Sequence, residues 1–173
     1  MVLFQVNGGI EMSGFQDIYT KYSKSVFRFL LSLTRDELMS EELLQETFYQ
    51  ALLHIDQFEG RSSLYTWLCQ IGKNAWLKKC RRKNRYRDVS LDELTEVDSK
   101  EPTPEEQAIR SEEYIKVRQA ILKLNEPYKD VFILHAYADI KLNEIALLYG
   151  KSESWARVTY YRAKQQIITE VSK

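Results

Sequence analysis

Apolar residues recur at three- and four-residue spacing along most of this chain. Phe15, Ile18, Tyr19, Tyr22, Val26, Phe29, Leu30 and Leu33 form the first such series. That spacing lines one side of a helix and predicts an amphipathic element. Ser40 follows as an expected N-cap, with Glu41 and Glu42 in a first turn where the helix dipole favours anions. Leu44, Phe48, Ala51, Leu52 and Ile55 then mark the expected buried face of a second helix. Leu43, Gln45, Glu46, Tyr49 and Gln50 fall mostly on its other sides. Asp56 to Ser63, with Gly60 and two serines, reads as a loop. Leu64, Leu68, Ile71 and Ala75 begin a third helix that runs into a basic cluster.

The second half repeats the logic with shorter elements. Ile115, Ile121 and Leu124 predict one helix, and Asn125-Glu126-Pro127 is a stop and restart. Tyr128 to Ala138 predicts the next helix, and Asn143 to Tyr149 another. Gly150-Lys151 is a tight turn and Ser152 an N-cap for a last helix from Glu153 to about Ile168. Ala156, Tyr160, Ala163 and Ile167, spaced four, three and four, should pack inward together. Two short helices around a Gly-containing turn, the second amphipathic and basic, are the helix-turn-helix signature.

Charge divides the chain in two. The net charge is +0. Yet no acidic residue lies between Arg61 and Arg87, where Arg61, Lys73, Lys78, Lys79, Arg81, Arg82, Lys83, Arg85 and Arg87 are basic. Residues 88 to 113 invert this: ten acids face only Lys100 and Arg110. Pro102 and Pro104 oppose helix continuation there. The expected plan is all-α. A helical bundle spans 13–87, an acidic flexible linker 88–106 and a helix-turn-helix domain 107–173. The linker reads as a solvated spacer or as an electrostatic mimic of nucleic acid shielding the basic helix.

Composition narrows the class. Six Gly and three Pro in 173 residues suit a soluble, helix-rich chain. No apolar run approaches the roughly 20 residues that span a bilayer, and the start lacks a signal-peptide pattern. A cytoplasmic location is expected, so Cys69 and Cys80 should remain thiols. His54 and His135 have no Cys or carboxylate at ligand spacing, so no metal and no cofactor are expected. The segment before Met12 contains Gly8-Gly9, a pair that GGAGG can encode. It is read as a translated ribosome-binding site, with Met12 the start, or as a flexible tail.

Catalytic constellations are missing from the sequence: no Gly-rich phosphate loop, GxSxG or HExxH. Three binding surfaces stand out instead. The first runs from Lys73 to Arg87, interleaved with Trp67, Trp76 and Tyr86. Cations there release counterions from phosphates, and rings stack on unpaired bases for about 1–3 kcal/mol each. Trp67 is assigned to the core. The second is the outward side of the last helix: Ser154, Trp155, Arg157, Val158, Tyr161, Arg162 and Lys164. Trp155 and Val158 can touch thymine methyls, and Arg157 and Arg162 can donate to guanine or phosphate. The third, Leu43, Gln45, Glu46 and Tyr49, suggests a protein partner.

These residues resemble a known family. The run Ser40-Glu41-Glu42-Leu43-Leu44-Gln45-Glu46-Thr47-Phe48-Tyr49-Gln50-Ala51 is similar to the polymerase-binding segment, region 2.2, of extracytoplasmic-function sigma factors. Phe58-Glu59-Gly60-Arg61-Ser62-Ser63-Leu64-Tyr65-Thr66-Trp67-Leu68 and Ile71-Gly72-Lys73-Asn74 resemble their promoter-melting and −10-reading segment. Asn143-Glu144-Ile145-Ala146, Gly150-Lys151-Ser152 and Tyr161-Arg162-Ala163-Lys164 resemble their −35-binding helix-turn-helix. The likeness runs in order from Phe15 to Ile168.

The resemblance implies an initiation subunit without catalysis of its own. Leu43, Gln45, Glu46 and Tyr49 would meet the β′ clamp helices of core RNA polymerase, and the flap of the β subunit is a further contact. Phe58, Arg61, Ser62, Ser63, Lys73, Asn74, Trp76, Lys78, Lys79, Arg81 and Arg82 would serve the −10 element. Ser152, Ser154, Trp155, Arg157, Val158, Tyr161 and Arg162 would serve the −35 element. The resemblance further implies control by an anti-sigma factor, often membrane-anchored and answering envelope stress. Three positions depart from the family. Trp155 replaces a small Thr, Val158 a Ser and Thr159 an Arg, so −35 preference does not carry over. The rival reading is an autonomous dimeric helix-turn-helix regulator. It leaves the first domain's basic helix unexplained.

Overall fold

The computed structural model describes residues 12–87 and 104–173, with no account of the side chains at 12–13, 83–87 and 104–111. The short segment before Met12 and most of the acidic stretch lie outside the described residues. Among the described residues every regular element is helical. The chain divides into two compact units, Met1–Leu91 and Asp92–Lys173.

The first unit holds α1 (Met12–Thr34), α2 (Glu37–His54) and α3 (Leu64–Arg87), with one 3-10 turn at Ile55–Gln57. All three helices pack on one another. Ile18, Val26, Phe29, Leu30 and Leu33 bury the α1 stripe as its periodicity requires. Phe48 of α2 meets the edges of Phe15 at 6.2 Å and Tyr19 at 4.8 Å. Gly72 marks a close approach of α3 to α1 and α2. A Cβ there would lie 3.1 Å from Thr47 Oγ1 and 3.2 Å from Leu30 Cδ2, tighter than ordinary contact, so both side chains would have to give by a few tenths of an ångström.

The start of α2 corrects an expectation. The helix begins four residues earlier than Ser40 suggests, and Asp36 is its cap. Asp36 Oδ1 accepts from the Met39 N–H at 2.9 Å. Ser40 is fully buried inside the first turn. Its hydroxyl donates to the Asp36 carbonyl at 2.6 Å and lies 2.6 Å from Thr34 Oγ1. Arg35, at φ 54°, makes the left-handed step between α1 and this cap.

The buried face of α2 is also turned from the one expected. Ser40, Leu43, Thr47, Phe48 and Ala51 face inward, whereas Leu52 is exposed. Apolar side chains lie all round this helix, so its pattern carries little directional signal. The neighbours choose the face. Thr47 has the small size that Gly72 needs beside it, and its hydroxyl is satisfied by the Leu43 carbonyl at 2.6 Å.

The second unit holds α4 (Pro104–Lys123), α5 (Tyr128–Ala136), α6 (Leu142–Leu148) and α7 (Glu153–Val171). Pro104 occupies the first position of α4, where its missing N–H costs nothing. Helical structure therefore starts inside the stretch assigned to the linker. α4, α5 and α6 all pack on α7. Ala156, Thr159, Ala163 and Ile167 are its buried side. Tyr160 lies between Phe132, stacked at 5.7 Å, and His135, edge-on at 4.6 Å.

Candidate nucleic-acid and protein interfaces

The turn between α6 and α7 follows from three residues. Gly150 adopts φ 60°, a left-handed conformation that a side chain would strain. Its N–H donates to the Leu147 carbonyl at 3.1 Å, and the Lys151 N–H to the Ala146 carbonyl at 2.9 Å. This double bond pattern closes α6 as a Schellman motif. Ser152 then caps α7, its Oγ accepting from the Trp155 N–H at 3.2 Å. Trp155 is half-buried, its ring 5.7 Å from Tyr149. The Tyr149 hydroxyl donates to the buried carboxylate of Asp130 on α5. The turn is thus tied to the body of the unit, and α7 is held at a defined angle to α6.

The outward side of α7 matches its sequence pattern. Ser152, Ser154, Arg157, Val158, Tyr161, Arg162 and Lys164 are all exposed. Trp155 is the exception, since its ring is partly spent on Tyr149. Arg157 Nε and Nη2 both donate to Glu153 Oε1, at 3.0 and 2.5 Å. The remaining end of its guanidinium faces outward with donors to spare.

In the first unit the candidate −10 residues separate into two groups. Asn74, Lys78, Arg81 and Arg82 are exposed along α3. Lys79, half-buried, is paired across to Glu42 of α2. Arg61, in the preceding loop, pairs with Glu59 at 2.8 Å. The Phe58 ring packs on Trp67 at 5.4 Å, both half-buried. Ser63 starts α3 as its cap, its Oγ accepting from the Thr66 N–H at 3.1 Å.

Trp76, Lys73 and Ser62 are corrections. Trp76 is 2% and Lys73 1% exposed, and Ser62 is also buried. A ring enclosed in the core cannot stack on a base, and a buried ammonium cannot meet a phosphate. The cause is geometric. α3 packs on both α1 and α2, and residues 72, 73, 76 and 77, in its middle, are buried there. Cys69 sits in the same buried layer, where desolvation pushes its thiol up to about 12.

The expected protein-binding face of α2 is corrected at one residue. Leu43 points into the core, at 4% exposure. Gln45, Glu46 and Tyr49 are exposed, and Glu46 accepts from Gln50 Nε2 at 3.0 Å. Leu38, Leu52 and Leu53, 74, 44 and 52% exposed, join Tyr49 on the side of the helix opposite Thr47. Periodicity hides these leucines because they alternate with buried ones. Four large exposed apolar residues on one helix face are the available clue.

Comparison with known proteins adds to this geometry. The Sigma-70 region 2 family model matches residues 18–86 and the Sigma-70, region 4 model residues 114–167. RNA polymerase sigma factor YlaC of Bacillus subtilis (strain 168) is 29% identical over 161 residues, covering 91% of this chain and 92% of the relative. ECF RNA polymerase sigma factor SigM of the same organism is 27% identical over 156 residues, covering 87% and 91%. In fold, the chain is similar to sigma factor RpoE in complex with the anti-sigma factor NepR from Bartonella quintana. The TM-score is 0.58 at 19% identity, with 93% of this chain and 98% of that one covered. It is also similar to CnrH in complex with the cytosolic domain of CnrY, with TM-score 0.55 at 19% identity over 94% and 90% of the two chains.

Proposed function

The chain belongs to the sigma-70 family, as a sigma factor of the extracytoplasmic-function kind, and from that premise we propose how its surfaces divide the work of initiation. One observation carries the reading. The two family matches fall, in order, on two compact helical units, and each unit exposes a cationic helix face.

On this reading the outer face of α2 docks on core RNA polymerase. Gln45, Glu46 and Tyr49 lie at its centre, and Leu38, Leu52 and Leu53 extend it. Apolar area covered there supplies affinity, and Glu46 fixes the register through charge. The loop before α3 and the exposed part of α3 serve the −10 element. Phe58 and Arg61 lie at its edge, and Asn74, Lys78, Lys79, Arg81 and Arg82 follow the strand. Trp76 supports this surface from beneath, as packing. α7 enters the major groove at the −35 element, in the manner of a recognition helix. Melting costs the unstacking of a few base pairs, which capture of extruded bases offsets.

Two DNA-binding units on one chain gain affinity by effective concentration once polymerase fixes their spacing. The free protein therefore binds promoter DNA poorly. Control by an anti-sigma factor at the inner face of the membrane fits the same plan. The complexes of RpoE with NepR and of CnrH with CnrY, which share this fold, support the anti-sigma partner.

The test is transcription from a promoter library with purified core polymerase, with and without the chain. Initiation at defined positions, dependent on the chain, is the expected result. Glu46→Arg should weaken the association with core about tenfold, as for an interface residue worth more than 1 kcal/mol, without changing helical content. Sequence-specific binding to duplex DNA in the absence of polymerase, with no initiation, would favour the autonomous regulator instead.

A further inference from the structure

Two large apolar side chains stand on the DNA-facing side of α7 with about half or more of their surface open. Val158 is 48% and Tyr161 63% exposed. They are three residues apart, so they are neighbours on the helix surface. Their setting is cationic. From Ser154 to Thr169 the sequence has no acidic residue, while Arg157, Arg162 and Lys164 are exposed around the pair. An apolar patch in such a rim suits a polyanion that itself carries apolar groups.

Several of the other candidates for base reading in the first turns are wholly or partly occupied. Trp155 packs on Tyr149. Thr159 is buried at 5%. Arg157 directs one edge of its guanidinium to Glu153. Ser154 and Arg162 remain, together with the apolar pair. In the major groove only thymine offers an apolar group at the base edge, its C5-methyl.

We propose that Val158 and Tyr161 determine −35 specificity by covering thymine methyl groups, so that this chain selects a thymine-bearing −35 element by apolar contact. The proposal rests on the reading of α7 as the −35 helix and deepens it. Arg157 and Arg162 then act mainly on phosphates or on a flanking guanine, and set register.

The experiment uses the full chain with core polymerase. A template library randomised across the −35 window is selected for initiation. The best sequence is then built twice, with thymine or with uracil at the window's thymine positions and nowhere else. Uracil pairs identically and lacks only the methyl. Removing one covered methyl should lower promoter occupancy roughly fourfold, the equivalent of one buried CH2. Val158→Ala should abolish that difference for at least one position, and Tyr161→Ala for its neighbour. Both side chains are exposed, so neither change should alter the thermal unfolding of the chain.

Selected windows without thymine would overturn the proposal. So would a thymine-bearing window on which thymine and uracil templates behave alike, and in both cases the −35 reading of α7 would stand. Initiation indifferent to the window's sequence would remove that reading and the proposal together.

Discussion

α3 and α7 carry the two basic faces of this sigma factor, and they are built differently. α3 spans 24 residues, and its middle is enclosed by α1 and α2. Its cationic and aromatic residues are therefore divided between core and surface. Trp76 and Lys73 are inside, while Lys78, Arg81 and Arg82 are outside. α7 spans 19 residues and packs its partners on one side only. Its buried set is small, Ala156, Thr159, Ala163 and Ile167, and its polar set is on the other face almost without exception. Residue type alone thus identifies the exposed face of a one-sided helix. On a helix embedded in a bundle it does not.

The most severe test of this contrast is Trp76→Ala against Tyr161→Ala. The first empties a core site and should destabilise the first unit by about 3–5 kcal/mol, read by urea unfolding of the full chain. The second should change stability by no more than about 0.5 kcal/mol. A Trp76→Ala chain of normal stability that had lost only −10 recognition would break the comparison and restore the ring as a stacking platform.

The next test stays within α2. Leu43→Ala should cost about 2–5 kcal/mol of stability as a buried leucine. Leu53→Ala should cost about 0.5 kcal/mol or less, yet weaken the association with core polymerase. The reverse order of the two stability effects would show that the helix is turned the other way.

Ser152→Ala removes the cap of α7 and should destabilise the second unit by about 1 kcal/mol, measured by thermal unfolding. Promoter dependence at −35 should fall with it, since the cap fixes where the reading helix begins. Retention of full stability would mean that packing on α4 to α6 alone holds the helix start.

The smallest effect concerns Glu170. Hydrogen bonds from Lys123 and Lys173, 2.6 and 2.9 Å away, hold its carboxyl down at about 2. A depressed carboxyl pKa adds stability that is present above its ordinary value of 4.5 and lost as pH falls toward 2. The site is open to solvent, so screening keeps the contribution slight. Glu170→Gln should remove only this portion of the acid-side pH dependence, visible in unfolding at low salt. Unchanged pH dependence would sink it.

Some of these assignments are legible in the order of residues. The stripe of α1, the cap at Ser152, the Gly150 turn and the inward Ala156, Ala163 and Ile167 of α7 follow from spacing and residue chemistry, whereas buried Thr159 does not. Each is a local property, fixed within one or two turns of chain. The exposed basic residues of α7 follow because its two faces differ in polarity. The cap of α2 is misread from the sequence, although Asp36 directly precedes the helical run. Ser40 imitates a cap because serine also satisfies its hydroxyl inside a helix, on a carbonyl four residues back.

What the amino-acid order determined by itself was the kind and sequence of elements, the division of charge and the helix-turn-helix. What only the tertiary structure decided was the rotation of α2 and the depth of α3. Periodicity gives a direction only where polarity varies around a helix. Leu38, Leu43, Leu52 and Leu53 offer the core the same chemistry. The choice among them falls to shape, to the space that Gly72 opens for Thr47 between packed helices.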